Sequence, residues 1–496
     1  MNVLLVSPNS GFEPSMQFTP LGLLCIGSYL KARGYCVRVY DRNVDHGSLK
    51  HVLQAFRPDA VGVSVISRRA VNDAMDISGR FRKEKIPVIW GGHMATIAPD
   101  LILEENAADY VVMREGEISF HELLQCLQNK TDIAQVEGIA YKDSSGAIHH
   151  TPERAFANLA DFPVTDWSLV DPRKYFAPHI RCRKMTFLYS SKGCPSRCAF
   201  CYNKEYHRCQ YRKRPNAYVI SEIKELVTKY GMDGVEFADE LFGANKRELY
   251  DLCGQLRELR LHLAWGFQTR VGLLSREDYE YMYEAGCRWA FFGVESGSPE
   301  MLRRIHKDWI DLETIDRDFA YCRELGISTY CAIIIGFPDE TQEQLRDTVR
   351  LMLRLKADYY PVSMFYPNPG AELYDDLVAQ GRVAPLSSLR QKGSFFPTLG
   401  LAANYSKVSA RELMVIQSFF NWRNFFQKSV SKEKTRYSFA QKTIVTSLKQ
   451  AWKQGFFMMW RYLISSALLF AKIAWNRYAY PGIRKKYGLY EKRDRQ

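Results

Sequence analysis

Long apolar runs are missing from this chain. In its most apolar region the longest uncharged stretch, Tyr462 to Ala471, is ten residues, about half of what a membrane-crossing helix needs. Low-complexity tracts and internal repeats are missing too. The opening stretch Met1 to Pro8 has no basic segment ahead of its short apolar run, so it does not read as a secretory signal. The twelve cysteines are therefore expected to be reduced thiols of a cytoplasmic protein rather than disulfides. Cys25, Cys322 and Cys331 lie in apolar surroundings and read as small buried hydrophobes. No Gly-x-Gly-x-x-Gly follows the first apolar segment, which disfavours a nicotinamide-dinucleotide domain. Acidic residues are scarce at one end only. From Lys428 onward there are 16 Lys and Arg against 3 Asp and Glu, so the formal charge of +13 belongs to the tail and residues 1–427 balance. That argues against a nucleic-acid-binding core and for an anionic partner at the C-terminal end.

What is present fits a multidomain globular protein. A length of 496 residues predicts two or three domains, and 46% hydrophobic with 25% charged residues can bury sizeable cores. In residues 1–136, apolar strands at Val3–Pro8, Cys36–Asp41, Ala60–Val65, Pro87–Gly92 and Tyr110–Val112 alternate with helical stretches. Five strand–helix alternations predict a doubly wound parallel sheet, with ligands beyond the carboxyl ends of its strands. Ser64, Gly91, Gly92, His93, Glu115 and Gly116 fall at such ends. Each glycine taken alone could simply make a tight turn. Residues 137–184 read as a linker with a small hairpin around Asp143–Gly146. His149 and His150, adjacent on a strand, point to opposite faces and share no ion.

Cys194, Cys198 and Cys201 follow an apolar strand at Met185–Tyr189 and are spaced Cys-x3-Cys-x2-Cys. Gly193 and Pro195 break regular structure there. Three thiolates with no committed fourth ligand suit an iron–sulfur cluster that keeps one iron open. The alternative is a structural zinc with His207 or Cys209 as fourth ligand. Residues 185–400 then repeat strand and helix, with polar residues at strand ends: Asp239, Arg270, Glu295, Ser296 and Gly336. Such a run closes as a partial or full barrel with its site at the carboxyl ends. Taken singly, Glu295 could pair with Arg270 and Gly336 could be a turn.

The cysteine loop, with Phe200 before its last cysteine, resembles the signature of radical S-adenosylmethionine (SAM) enzymes. That resemblance implies a four-iron four-sulfur cluster on the three cysteines, SAM on the open iron, and Phe200 near the adenine. It also implies SAM amino-group binding around Glu236, Asp239 and Glu240, ribose binding at Glu295–Ser296–Gly297, and an adenine-side stretch from Ile335 to Thr341. Thr19–Leu23, Gly91–Gly92–His93 and Gly116–Glu117 resemble the cobalamin-binding domain fused to many such enzymes, and Pro367–Gly370 resembles a loop of that group. One departure stands out. Asn43 occupies the place of the cobalt-ligating His of the Asp-x-His-x-x-Gly motif, and His46 is out of register. Cobalamin without a protein His beneath it is expected, with Arg68 or Arg69 either near that face or on a solvated helix start.

The implied activity is cobalamin-dependent methyl transfer to an unactivated carbon of a small-molecule or lipid-like substrate, through a 5′-deoxyadenosyl radical. An electron donor such as flavodoxin or ferredoxin is implied as well. The alternatives are an oxidative cyclase or ring-rearranging enzyme on the same frame, or a non-catalytic cobalamin-binding regulator. The tail, residues 401–496, is expected to be mostly helical. Its apolar residues beside basic clusters suit either a peripheral contact with the inner membrane surface or a helix packed on the barrel.

Overall fold

Two mostly parallel sheets carry the chain. The structure, a computed structural model, describes residues 1–10, 18–45, 47–175, 179–390, 403–426, 441, 444 and 456–490. His46, Trp452, the lysines and arginines from Lys428 to Lys453, and the last six residues lie outside the described set, as do the side chains of Phe456, Phe457 and Trp460.

The first sheet contains β1 (Asn2–Ser7), β2 (Cys36–Asp41), β3 (Ala60–Ser64), β4 (Val88–Gly91), β5 (Tyr110–Val112), β6 (Ile139–Lys142) and β7 (Ile148–His150). Their order is β2-β1-β3-β4-β5-β6-β7. The first five strands pair in parallel. Val3–Val6 and Ala60–Val63 are buried along their whole length, as in a sheet covered on both faces. The hairpin β6–β7 joins β5 antiparallel, so it extends this sheet. His149 bonds Asp143 at 2.7 Å and His150 bonds Asp100 at 2.5 Å, separate partners, as expected for opposite faces. Strand order reverses between β1 and β3, which places the ligand crevice beyond Ser7 and Ser64.

The second sheet begins with β8 (Met185–Leu188). A two-stranded hairpin, β9 (Ser191–Lys192) and β10 (Arg212–Lys213), then brackets the cysteine loop. The sheet continues with β11 (Gly234–Phe237), β12 (Ala264–Thr269), β13 (Cys287–Glu295), β14 (Ser328–Ile335) and β15 (Val362–Met364). The order β15-β14-β13-β12-β11-β8 is parallel throughout and open between β8 and β15, so the barrel is a half-barrel. Side chains alternate by the two-residue period of a strand. Leu188, Val235, Phe237, Trp265, Phe267, Phe292, Val294, Cys331 and Ile333 face outward into the main core under the helices. Phe187, Glu236, Gln268, Phe291, Ala332, Ile334 and Ser363 alternate with them and stay partly or fully accessible, so the inner face lines an open lumen.

Helix Ala410–Phe426 covers the β15 edge. Gln417 Nε2 donates to Val362 O at 2.9 Å. Asn424, two turns on along the same face, accepts from Tyr360 N at 2.9 Å and donates to Tyr360 O at 2.7 Å. Side-chain amides thus satisfy an edge that would otherwise invite pairing. Helix Phe456–Tyr478 lies on this helix, with the buried Arg477 guanidinium over Phe419 and Trp422 at 5.0 and 5.2 Å. These contacts pack one face of the tail helix on Ala410–Phe426, which itself covers the barrel edge.

Candidate active site

The carboxyl ends of the two sheets meet at the cysteine loop. Cys194, Cys198 and Cys201 are free and half-buried. Gly193 enters the loop at φ 80°, and a Cβ there would lie 2.0 Å from Gln210 O, so only glycine fits. Glu240 accepts from Gly193 N at 2.9 Å and pairs with His207 Nε2 at 3.1 Å. Asn203 Nδ2 donates to Cys194 O at 2.6 Å. Burial pushes Cys198 up to about 11 and Cys201 up to about 12, each also feeling the charge of Cys194, while the Lys307 ammonium pulls both down. Such thiols need a metal to become thiolates at neutral pH. Each alternative fourth ligand has one contact of its own, while His207 Nδ1 is buried without a hydrogen-bond partner. His207 is held by Glu240, and the Cys209 thiol points at Ser196 O, 3.7 Å away. The donor set of three free thiols on one pinned loop fits a cluster.

The remaining strand ends divide by role. Asp239 is buried, accepting from Ser190 N at 2.7 Å, Ser190 Oγ at 2.6 Å and Ser191 Oγ, and burial raises its pKa. It fastens the crossing from β8 to the loop. Glu295 sits in the left-handed region at φ 65°, at a bulge against β14, and its partner is Lys307 at 2.9 Å, not Arg270. Lys307 also donates to Gly293 O at 2.9 Å and stands 5.8 Å from the Phe200 ring. Ser296 is fully buried, its hydroxyl 3.0 Å from Thr348 Oγ1, so it builds the turn under helix Gln342–Leu355. Gly336, at φ 80°, donates to Glu340 Oε2 at 2.6 Å. Phe337 brings its ring to 6.0 Å from that of Phe200, so these two stretches form one wall. Arg270 lies 5.3 Å from the Trp309 ring, and its buried Nε has no hydrogen-bond partner. An orphaned guanidinium donor at a strand end fits an absent anionic group such as a SAM carboxylate.

On the first sheet, Gly92 has φ 92°, and a Cβ would press on the Val65 backbone at 3.1 to 3.2 Å. Past Ser64, Ile66 is 62% exposed beside Ser67, whose buried Oγ is unpartnered. An exposed apolar side chain and an orphaned hydroxyl at a switch-point crevice fit a large bound group with both faces. Asn43 spends its amide on Ser10, Pro8 and Asp41, so it shapes the loop after β2. Arg68 reaches Tyr366 OH at 3.3 Å, toward the other domain rather than to open solvent. His93 is buried, its ring 4.2 Å from that of Tyr202, the residue after Cys201, and burial drops its pKa to about 4. Burial would raise Glu115, but Lys192 and Arg212 hold it below the usual carboxylate range. Arg212 Nη1 bonds Glu115 at 2.9 Å, and Lys192 bonds Glu117 at 2.8 Å. Glu115 and Gly116 therefore sit at the joint with the cysteine-loop hairpin. The sequence reading missed Lys307, Asn203 and the Lys192–Arg212 pair, whose roles depend on partners remote in sequence.

The sequence model of the B12 binding domain matches residues 13–124, and that of the radical SAM superfamily matches residues 188–352. The chain belongs to the radical SAM enzymes that carry a B12-binding domain. An uncharacterized methyltransferase of Pyrococcus horikoshii is 28% identical over 389 residues, 76% of this chain and 83% of that protein. The anaerobic magnesium-protoporphyrin IX monomethyl ester cyclase of Rubrivivax gelatinosus is 24% identical over 476 residues, 93% of this chain and 85% of that one. Among solved structures, the radical SAM methyltransferase TsrM from Kitasatospora setae, with tryptophan and a SAM analogue bound, aligns with a TM-score of 0.65 at 22% identity over 76% of each chain. That likeness is one of fold: a half-barrel radical SAM domain behind a doubly wound B12 domain.

Proposed function

We propose that this protein is a cobalamin-dependent radical SAM methyltransferase acting on an unactivated carbon of a small-molecule or lipid-like substrate. The observation that carries the reading is the meeting of the two strand-end sites, with the His93 ring 4.2 Å from Tyr202 and Tyr202 adjoining Cys201. Cys194, Cys198 and Cys201 would hold the cluster. Arg270, Glu295, Phe200 and the Gly336 turn would place SAM, with Asp239 and Ser296 holding the backbone beneath them. Ser64, Gly91, Gly92 and His93 would cradle the corrin, and Glu115 and Gly116 would fix the joint. Loaded with these groups, such a site supplies one-electron cleavage of SAM and a corrin-borne methyl group. The chain's own contribution is placement and exclusion of water. Lys307 holds Glu295 in place through their 2.9 Å ion pair, and burial keeps His93 neutral at the joint. A flavodoxin- or ferredoxin-type donor in the cytoplasm would supply electrons.

Anaerobic reconstitution with iron, sulfide and hydroxocobalamin tests the assignment. The protein should take up both, and changing the three cysteines to Ala should remove the iron and leave the corrin. Stoichiometric zinc without iron would contradict it. Incubating the loaded enzyme with methyl-labelled SAM and a cell extract should then place label in an organic product. A second reading, a radical cyclase, draws on the Rubrivivax gelatinosus cyclase, whose likeness runs over 93% of the chain and so into the tail. Product formation without gain of a methyl mass would favour it.

The tail is proposed to touch an anionic membrane surface. Among the described residues no helix is long and apolar enough to cross a membrane. Ile464, Leu468 and Trp475 stand 56%, 67% and 68% exposed along one stripe of helix Phe456–Tyr478, and basic Arg484, Lys485 and Lys486 follow. Apolar stripe and basic cluster together suit interfacial binding.

A further inference from the structure

Glu236, which the resemblance groups with Asp239 and Glu240 for SAM amino-group binding, stands apart from both: Asp239 and Glu240 fasten the cysteine loop, and Glu236 faces the half-barrel lumen. Glu236 lies on the inner face of β11, between Phe187 of β8 and Gly266 of β12 in register. Gly266 is bare for a reason: a Cβ there would lie 2.0 Å from Trp289 Nε1. The Trp289 indole lies across that glycine and donates to Glu236 Oε2 at 3.2 Å. The His179 ring lies tilted against Trp289 at 3.9 Å and bonds Tyr330 OH at 2.6 Å, closing the floor. The walls are Phe187 and Phe291, and Phe18 of the first domain reaches to 5.2 Å from Phe187. Gln268, on the central β12, is exposed, so the space above Glu236 is open. Among the described residues no cation pairs with Glu236. Tyr330, which feels the Glu236 charge, and His179 lie under the indole, and the nearby Arg181 cation acts on Tyr330 while donating to Ser328 Oγ at 2.8 Å and Gly326 O at 3.2 Å. Burial lifts its carboxyl to about 7, with the Trp289 bond pulling the other way. A carboxyl ringed by aromatic faces, with a single neutral donor and no counter-charge, is the environment that recognises an organic ammonium.

We propose that Glu236 is the substrate-recognition acid of the lumen, receiving a protonated amine on an otherwise apolar substrate. This rests on the methyltransferase reading, because it takes the lumen as the place where substrate waits beneath SAM. The inner face has ring walls for an apolar body and one anionic anchor for its charged end. Glu236 thereby fixes which carbon is presented to the strand-end chemistry.

The test uses the full-length, anaerobically loaded enzyme and two probes of equal length, octylamine and octanol, in isothermal titration calorimetry. Octylammonium should bind about tenfold more tightly than octanol or better. Glu236→Gln, which keeps size and hydrogen bonding, should erase that preference and leave octanol binding unchanged, which also shows that the variant is folded. Octylammonium binding should release a proton at about pH 6, where the free acid is protonated, and none at about pH 9. A merely structural Glu236 would move neither the preference nor the proton release. Equal binding of the two probes, no octylammonium binding, or a preference that survives Glu236→Gln would overturn the proposal. Iron and corrin absorption of the same sample reports separately on the methyltransferase reading.

Discussion

At the scale of single residues, the cysteine loop was legible because its information is local. Three thiols within eight residues and a Gly before them can be read without knowing the fold. Gly193 carries a sharp consequence. With φ 80° and Gln210 O at 2.0 Å from any Cβ, Gly193→Ala must displace the loop. Iron bound per chain after reconstitution should fall severalfold, while corrin uptake persists. Lys307 was not legible, because its meaning depends on Glu295, twelve positions back across a helix. The pair is almost fully buried, with side chains 7% and 10% exposed. Removing one member of such a pair costs about 3 to 5 kcal/mol, because the other is stranded. Lys307→Met should show a destabilisation of that order in denaturant melts, and adding Glu295→Gln should recover most of it. No recovery in the double variant would mean that the two residues act independently.

At the scale of elements, strand and helix periodicity gave the order of βα units correctly. It left the closure of the barrel open, since periodicity does not count edge pairings. The β6–β7 hairpin shows the same limit. Its turn was readable at Asp143–Gly146, but its attachment to β5 was not. The turn after β14 adds a pH dependence. Glu340 is fully buried, accepts from Gly336 N at 2.6 Å, and burial raises it to about 7. A folded-state pKa above the unfolded value near 4.5 means that the folded state holds the proton longer. The stability it contributes is fully present below that lower value and is lost as pH rises through about 7. Glu340→Gln keeps the bond to Gly336 and cannot ionise. It should raise the melting temperature at about pH 8, by on the order of 2 to 3 kcal/mol in stability, with the gap closing toward pH 5. A gap that is constant across this range would contradict the assignment.

At the scale of the whole molecule, the sequence showed two strand–helix runs but not how they meet, and it read as linker a hairpin that extends the first sheet. The joint between the two runs is built from Glu115, Glu117, Lys192 and Arg212; the sequence marks Glu115 as a strand-end residue, but its partners on the cysteine-loop hairpin are remote in sequence. Composition did localise the basic tail, while its docking depends on Gln417 and Asn424 finding the β15 edge. The outward stripe of that tail makes a test of its own. Co-sedimentation with phosphatidylglycerol vesicles should weaken with salt and be lost when Ile464, Leu468 and Trp475 are changed to Ser, while binding to neutral vesicles stays weak. Unchanged sedimentation of that variant would remove the membrane from the account.

The central claim is that one chain holds a cluster-bound SAM and a corrin at facing strand ends and uses both. The most direct measurement is product analysis of SAM consumed by the reduced, cobalamin-loaded enzyme. Both 5′-deoxyadenosine and S-adenosylhomocysteine should form, in equal amounts per methyl group transferred once the substrate is supplied. The Cys194→Ala, Cys198→Ala, Cys201→Ala variant should yield no 5′-deoxyadenosine. Formation of 5′-deoxyadenosine alone, with no S-adenosylhomocysteine and no methylated product, would contradict methyl transfer, and formation of neither would contradict the account as a whole.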